Sequence, residues 1–105
     1  VIFRAPLLDL VLAGKKTQTR RIVHLDPCRY LVGRDYAVQP GRGKKAVARI
    51  RVLAVRKEAV GAITAADARA EGFDTPQDFR DYWNELYGWY KAERLVWVID
   101  FELER

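Results

Sequence analysis

Apolar and polar positions along the chain change period several times, and each change marks an element. Leu7 to Ala13 is an apolar run interrupted by Asp9, entered through Pro6, which suits a first helical turn, and closed by Gly14, which can take the left-handed conformation that ends helices. This predicts a helix over 7–13. Thr17 to Ile22 then has the β-branched content and alternation of a strand, with Thr17, Thr19 and Arg21 on one face and Gln18, Arg20 and Ile22 on the other. Asp26–Pro27 and Gly33–Arg34–Asp35 are turn material, so 24–35 reads as an irregular excursion. Tyr36 to Gln39 predicts a short strand stopped by Pro40. A Gly41–Arg42–Gly43 turn leads into a second strand over 46–56, where Ile50, Val52 and Ala54 alternate with Arg49 and Arg51. Thr64 followed by Asp67 caps a helix ending at Gly72, and Thr75–Pro76–Gln77–Asp78 starts another, with Phe79, Trp83 and Leu86 on its core side. Leu95 to Leu103 closes as a strand whose first half is apolar on both faces, the pattern of a strand in the middle of a sheet.

That order implies an α+β fold: a small curved, mixed sheet or barrel with about three helices packed around it. At 105 residues, half of them hydrophobic, the chain makes one domain over 1–105, with a core that needs no staples. A single cysteine, Cys28, excludes an internal disulfide, and with one histidine, His24, no metal site or cofactor is expected. Cys28 reads as a small apolar residue rather than a nucleophile. No secretory pattern and no apolar run near the length of a membrane span are present, so a soluble, cytoplasmic protein without a membrane partner is expected.

Charge sharpens the picture. Residues 1–57 hold 14 Lys and Arg against three Asp, while residues 58–105 hold five against 11 acids, so a net +5 conceals a basic first half and an acidic second. Such segregation predicts a field that steers a polyanion to one side. Gly14 to Arg21 concentrates the effect, with four cations, two threonines and no carboxylate. A solvated basic turn is the plainer explanation, but solubilising turns usually mix in carboxylates, and the hydroxyls fall at strand spacing. Glu71, last before Gly72, is mildly misplaced at a helix C-terminus, which invites a cationic partner from that segment.

Gly14, Lys16, Thr19 and Arg21 fit the pattern GxKxxTxR, and with Tyr36–Gly43, Ile63–Phe73 and the Val96–Trp97–Val98–Ile99 strand the chain resembles the ASCH family along nearly its whole length. The resemblance implies a small barrel of PUA-like type and a motif cleft that binds RNA. One branch of the family hydrolyses the amide of N4-acetylcytidine, and carried over residue by residue its catalytic lysine, threonine and glutamate fall on Lys16, Thr19 and Glu71. The chain departs from that branch in a longer 24–45 stretch bearing Pro40 to Lys45 and in an added helix around Trp83.

The leading expectation is therefore an RNA- or nucleotide-binding domain, with Lys15, Lys16, Arg20, Arg21, Arg42, Lys44 and Lys45 facing phosphate and Tyr36 stacking on a base. The alternative is an amidohydrolase acting on an acylated nucleoside, with Thr19 as nucleophile, Lys16 as base and Glu71 as acid or base. It needs the Lys16 amine brought down from about 10.4 towards neutrality. A module binding an acidic protein partner is the third reading.

Overall fold

The computed structural model describes residues 1–104. Helix α1 spans Leu7–Leu12 and is followed by strand β1 over Gln18–Ile22. Strands β2 (Asp35–Val38) and β3 (Ala48–Ala59) form the expected hairpin, then come helices α2 (Ala65–Glu71) and α3 (Pro76–Tyr87), and β4 (Leu95–Glu104) closes the chain. The sheet order is β1-β4-β3-β2, every neighbouring pair antiparallel, with β4 in the interior as its two apolar faces require.

Both helix starts obey their sequence signals. Thr64 Oγ1 accepts the Asp67 N–H at 3.1 Å, and Thr75 Oγ1 accepts the Asp78 N–H at 3.1 Å, each satisfying an otherwise orphaned helix donor. Gly72 ends α2 with a φ of 102°. Gly14, at φ 74°, turns the chain after α1. The stretch 24–34 carries no helix or strand.

Each face of the sheet is covered. Val96 and Val98 of β4 meet Ala68 of α2 and Phe79 and Trp83 of α3, with Val60 and Ile63 filling the gap. On the other face, Phe3, Val11, Val38, Ile50 and Phe101 form a core beneath α1, and Cys28 packs with Val52 and Ile99 under the 24–34 excursion. Cys28 is thus buried among apolar side chains.

Three expectations change. The hairpin strand does not keep one parity: pairing with β4 slips between Val52 and Ala54, so Leu53 is an extra residue and Val55, not Ala54, follows Val52 onto the Ile99 side. Leu86 is exposed, because it borders the open cleft rather than the core. The sheet is not mixed and does not close into a barrel. The single parallel element among the described residues is an isolated bridge between Ile2 and Gln39, which lays the N-terminal residues beside β2. Between those residues and β1 no main-chain ladder forms; the seam is spanned instead by Arg21, whose Nη2 donates to the Ile2 carbonyl oxygen at 3.0 Å.

Candidate functional site

The opening cationic segment is held where it is by main-chain bonds at both ends. The Lys15 and Lys16 N–H groups donate to Leu10 O at the end of α1, and the Thr17 N–H donates to Ala70 O of α2, which brings Glu71 against the start of β1. Gly72 lets α2 end there: a Cβ on it would stand 2.9 Å from Leu10 Cδ1. Lys16 and Glu71 meet as a result of these two turns, although 55 residues separate them.

Lys16 is 2% exposed and Glu71 3% exposed, so neither is a surface charge. Lys16 Nζ donates to Glu71 Oε1 at 2.8 Å, to Glu71 O at 2.8 Å and to Gln18 O at 2.7 Å, using all three ammonium hydrogens. The other Glu71 oxygen accepts from Arg20 Nη1 at 3.1 Å. Arg20 Nη2 continues to Glu58 Oε2 at 3.0 Å and Asp67 Oδ2 at 3.3 Å, and Gln18 bridges Arg20 to Asp100. Two of the four motif cations are therefore neutralised by carboxylates from the acidic half of the chain. The sequence, which shows no acid within the segment, pointed to four cations facing phosphate, one of them a candidate partner for Glu71. The structure corrects this for Lys16 and Arg20, because a buried cation survives only with a partner. Burial pulls the Lys16 amine below the usual lysine range, with the Glu71 charge and hydrogen bond opposing.

Thr19 and Arg21 share the opposite face of β1, as strand alternation requires. Arg21 Nε donates to Thr19 Oγ1 at 3.3 Å, and the guanidinium lies 5.3 Å from the centre of the Phe3 ring. Between α3 and the N-terminal residues, along the outer edge of β1, a cleft of about 280 Å³ opens. Lys16, Thr19, Arg20, Arg21 and Glu71 all line it. Its far wall is Phe79, Tyr82, Trp83 and Tyr87 of α3, and Ile2, Phe3 and Arg4 form the near rim. Burial pushes the Tyr82 phenol above its ordinary value, so it stands there as a neutral donor and acceptor.

The backbone of β1 contributes as well. The Phe101 N–H donates to Thr17 O and the Val23 N–H to Leu95 O, so odd-numbered residues exchange ladder bonds with β4. Gln18, Arg20 and Ile22 consequently turn their peptide groups to the open edge. Lys16 occupies the Gln18 carbonyl; the Arg20 peptide faces the cleft edge.

Other expected site residues lie elsewhere. Lys15 is exposed outside the cleft, and Arg42, Lys44 and Lys45 are exposed on the β2–β3 loop. Tyr36 is not a free stacking platform: it packs edge-on against Tyr30 at 5.0 Å, and its hydroxyl accepts the Leu31 N–H at 2.8 Å. Its alternation on a short strand points it into the core. Tyr82, Tyr87 and the N-terminal rim were not anticipated. Tyr82 and Leu86, four apart beside the Phe79–Trp83 stripe, signal a widened apolar face on α3; nothing in residues 2–4 marks them as rim.

No helix among the described residues is long and apolar enough to cross a membrane, and no cluster of three or more metal-ligating side chains occurs among them. The fold is similar to that of a protein from Enterococcus faecalis V583 (TM-score 0.72, 19% identity, 91% of this chain and 65% of that one). The chain thus spans just under two thirds of that relative's length. It is also similar to an ASCH domain from Lactobacillus crispatus JV V101 (TM-score 0.71, 17% identity, 92% of this chain and 69% of that one). An ASCH protein from Zymomonas mobilis, solved as a point mutant, superposes with a TM-score of 0.66 at 16% identity over 97% of this chain and 66% of its own. Among curated proteins, sequence comparison finds no match. The family model described as the ASCH domain matches residues 2–105, and the chain belongs to the ASCH domain family.

Proposed function

We propose that the cleft holds one nucleotide of a single-stranded RNA, in keeping with the RNA binding generally proposed for the family. The observation that carries this reading is a cavity of about 280 Å³ that combines an aromatic wall with the edge peptide of β1. That volume suits one nucleoside and excludes a duplex. Bases taken from single strands are held by stacking and by hydrogen bonds to their edges. Tyr82 and Tyr87, packed on one side against Phe73 at 5.2 Å and Trp83 at 4.5 Å, offer the ring surface that borders the cleft; the Arg20 peptide and the Thr19 hydroxyl offer donors and acceptors. Arg21, whose acceptors here are neutral oxygens, keeps its full charge for a phosphate at the mouth. Titration with nucleoside monophosphates and short single-stranded RNAs tests the reading: micromolar or tighter binding that weakens about tenfold or more in Tyr82→Ala supports it, and no binding at low salt ends it.

One observation favours a second reading, amide hydrolysis of an acylated cytidine. A burial-lowered lysine amine, a threonine hydroxyl and a carboxylate line the same cleft. For this chemistry Lys16 must first surrender a proton, and the 2.8 Å contact to Glu71 Oε1 is the route, since transfer along it neutralises two buried charges. The free amine then takes the Thr19 hydroxyl proton as Oγ1 bonds to the acyl carbon. The C–N bond breaks, the departing amine takes a proton back, and water hydrolyses the acyl-threonine. The resting structure has every Lys16 hydrogen engaged and no lone pair directed at Thr19, which is why binding ranks first. Assaying a panel of acylated cytidines discriminates the two. Partial turnover retained by Thr19→Ser and abolished by Thr19→Val supports hydrolysis; an inactive wild type across the panel removes it.

A further inference from the structure

Arg21 belongs to two cavities at once. On one side lies the motif cleft; on the other a second hollow of about 230 Å³ runs beneath the 24–34 excursion. Cys28 and Ile99 form its apolar floor, and Tyr30 and Trp97, both half-buried, supply its aromatic walls. The Trp97 indole is fixed in place because its Nε1 donates to Leu25 O at 3.0 Å. Neither the motif nor the cleft accounts for this construction.

Its electrostatics differ from those of the cleft. In the cleft, Lys16 and Arg20 are consumed by Glu58, Asp67 and Glu71. Arg21 and Arg29 line the second cavity, and Lys57, which lies over its Trp97 wall, pairs with Asp26. Arg29 lies 5.2 Å from the centre of the Tyr30 ring and Lys57 5.0 Å from that of Trp97, so two ring faces already carry a cation. Neither Arg21 nor Arg29 pairs with a carboxylate among the described residues. Aromatic rings interleaved with unneutralised arginines are the chemistry that receives stacked bases joined by phosphates.

We propose that the second cavity seats the neighbouring nucleotide of a single-stranded RNA whose first nucleotide occupies the motif cleft, with Arg21 on the phosphate that joins them. The proposal rests on the nucleotide reading of the cleft and extends it. It makes the recognised unit a dinucleotide and gives the 24–34 excursion a role in binding. Duplex RNA is excluded, because successive bases must part around the Arg21 side chain. The charge segregation of the chain is also accounted for. The second cavity draws its cations wholly from the basic first half, while the motif cations Lys16 and Arg20 are neutralised from the second.

The test compares a nucleoside monophosphate with a dinucleoside monophosphate, ligands with equal phosphate number that differ by one nucleoside. Wild type binds the dinucleotide about tenfold or more tightly, the increment of one stacked base. Tyr30→Leu, which keeps an apolar side chain over Cys28, removes that gain and leaves the mononucleotide affinity unchanged. Arg29→Gln, on an exposed side chain that cannot unfold the core, weakens the dinucleotide severalfold and the mononucleotide not at all. Equal wild-type affinities for the two ligands, or variants that weaken both alike, overturn the second seat while the cleft reading stands. If neither ligand nor a longer single strand binds, the cleft reading and this one fall together.

Discussion

Glu71 is the residue on which the site turns, because its two oxygens hold Lys16 and Arg20 together in the nearly buried wall of the cleft. Replacing it by Gln leaves shape nearly unchanged but takes away the carboxylate that pairs with buried Lys16, while Arg20 keeps Glu58 and Asp67. Breaking a buried pair in this way costs about 3–5 kcal/mol, so Glu71→Gln should lower the urea midpoint sharply, whereas Glu102→Gln, on an exposed strand position, should not. Lys16 gives the molecule a pH signature whose sign follows from its lowered value. Unfolded, the amine keeps its proton up to about 10.5; folded, it releases it earlier. Across that interval the unfolded chain binds more protons, so the Lys16 contribution to stability rises with pH, and below it the full penalty of burying the ammonium applies. The unfolding free energy of wild type relative to Lys16→Met should therefore increase between pH 8 and 10; a flat difference would show that Lys16 keeps its proton throughout.

At the level of elements, α2 matters chiefly for where it stops. Its C-cap, Gly72, is left-handed and so close to Leu10 that a methyl group would collide. Gly72→Ala should cost at least about 1 kcal/mol from the backbone alone, and more from separating α1 from α2, seen as a lower thermal midpoint together with weaker ligand binding. The two caps, the hairpin and the interior strand were legible in the sequence because each rests on local chemistry: Thr64 and Thr75 on hydroxyl acceptors, Leu95 to Leu103 on apolar density. Glu71 was legible as a misplaced charge in want of a partner. What escaped was non-local. The extra residue at Leu53 looks like any strand residue until the opposite strand is known. Tyr36 carries the right ring for stacking and is spent on Tyr30 and the Leu31 amide. The further carboxylates that neutralise Arg20 lie at 58 and 67, far outside any window centred on the motif.

For the whole molecule, internal pairing redistributes the charge that reaches solvent. With Lys16 and Arg20 neutralised, the proposed RNA binding would draw its long-range attraction from exposed cations such as Lys15, Arg42, Lys44 and Lys45. Log affinity for a single strand falls with log salt by about 0.7 for each phosphate neutralised. Replacing Lys44 and Lys45 together by Gln should make that slope shallower while leaving mononucleotide affinity intact; an unchanged slope would confine binding to the cleft. The unclosed seam between β1 and the N-terminal residues bears on more than shape. A nucleotide that bonds the outward peptide of Arg20 stands where a further strand would have stood, and so completes the circuit of hydrogen bonds that the polypeptide leaves open. Amide exchange should register this position by position: in the free protein the Arg20 N–H exchanges faster than those of Thr19 and Arg21, and in the complex the contrast disappears, the ligand having become one more staple of the sheet.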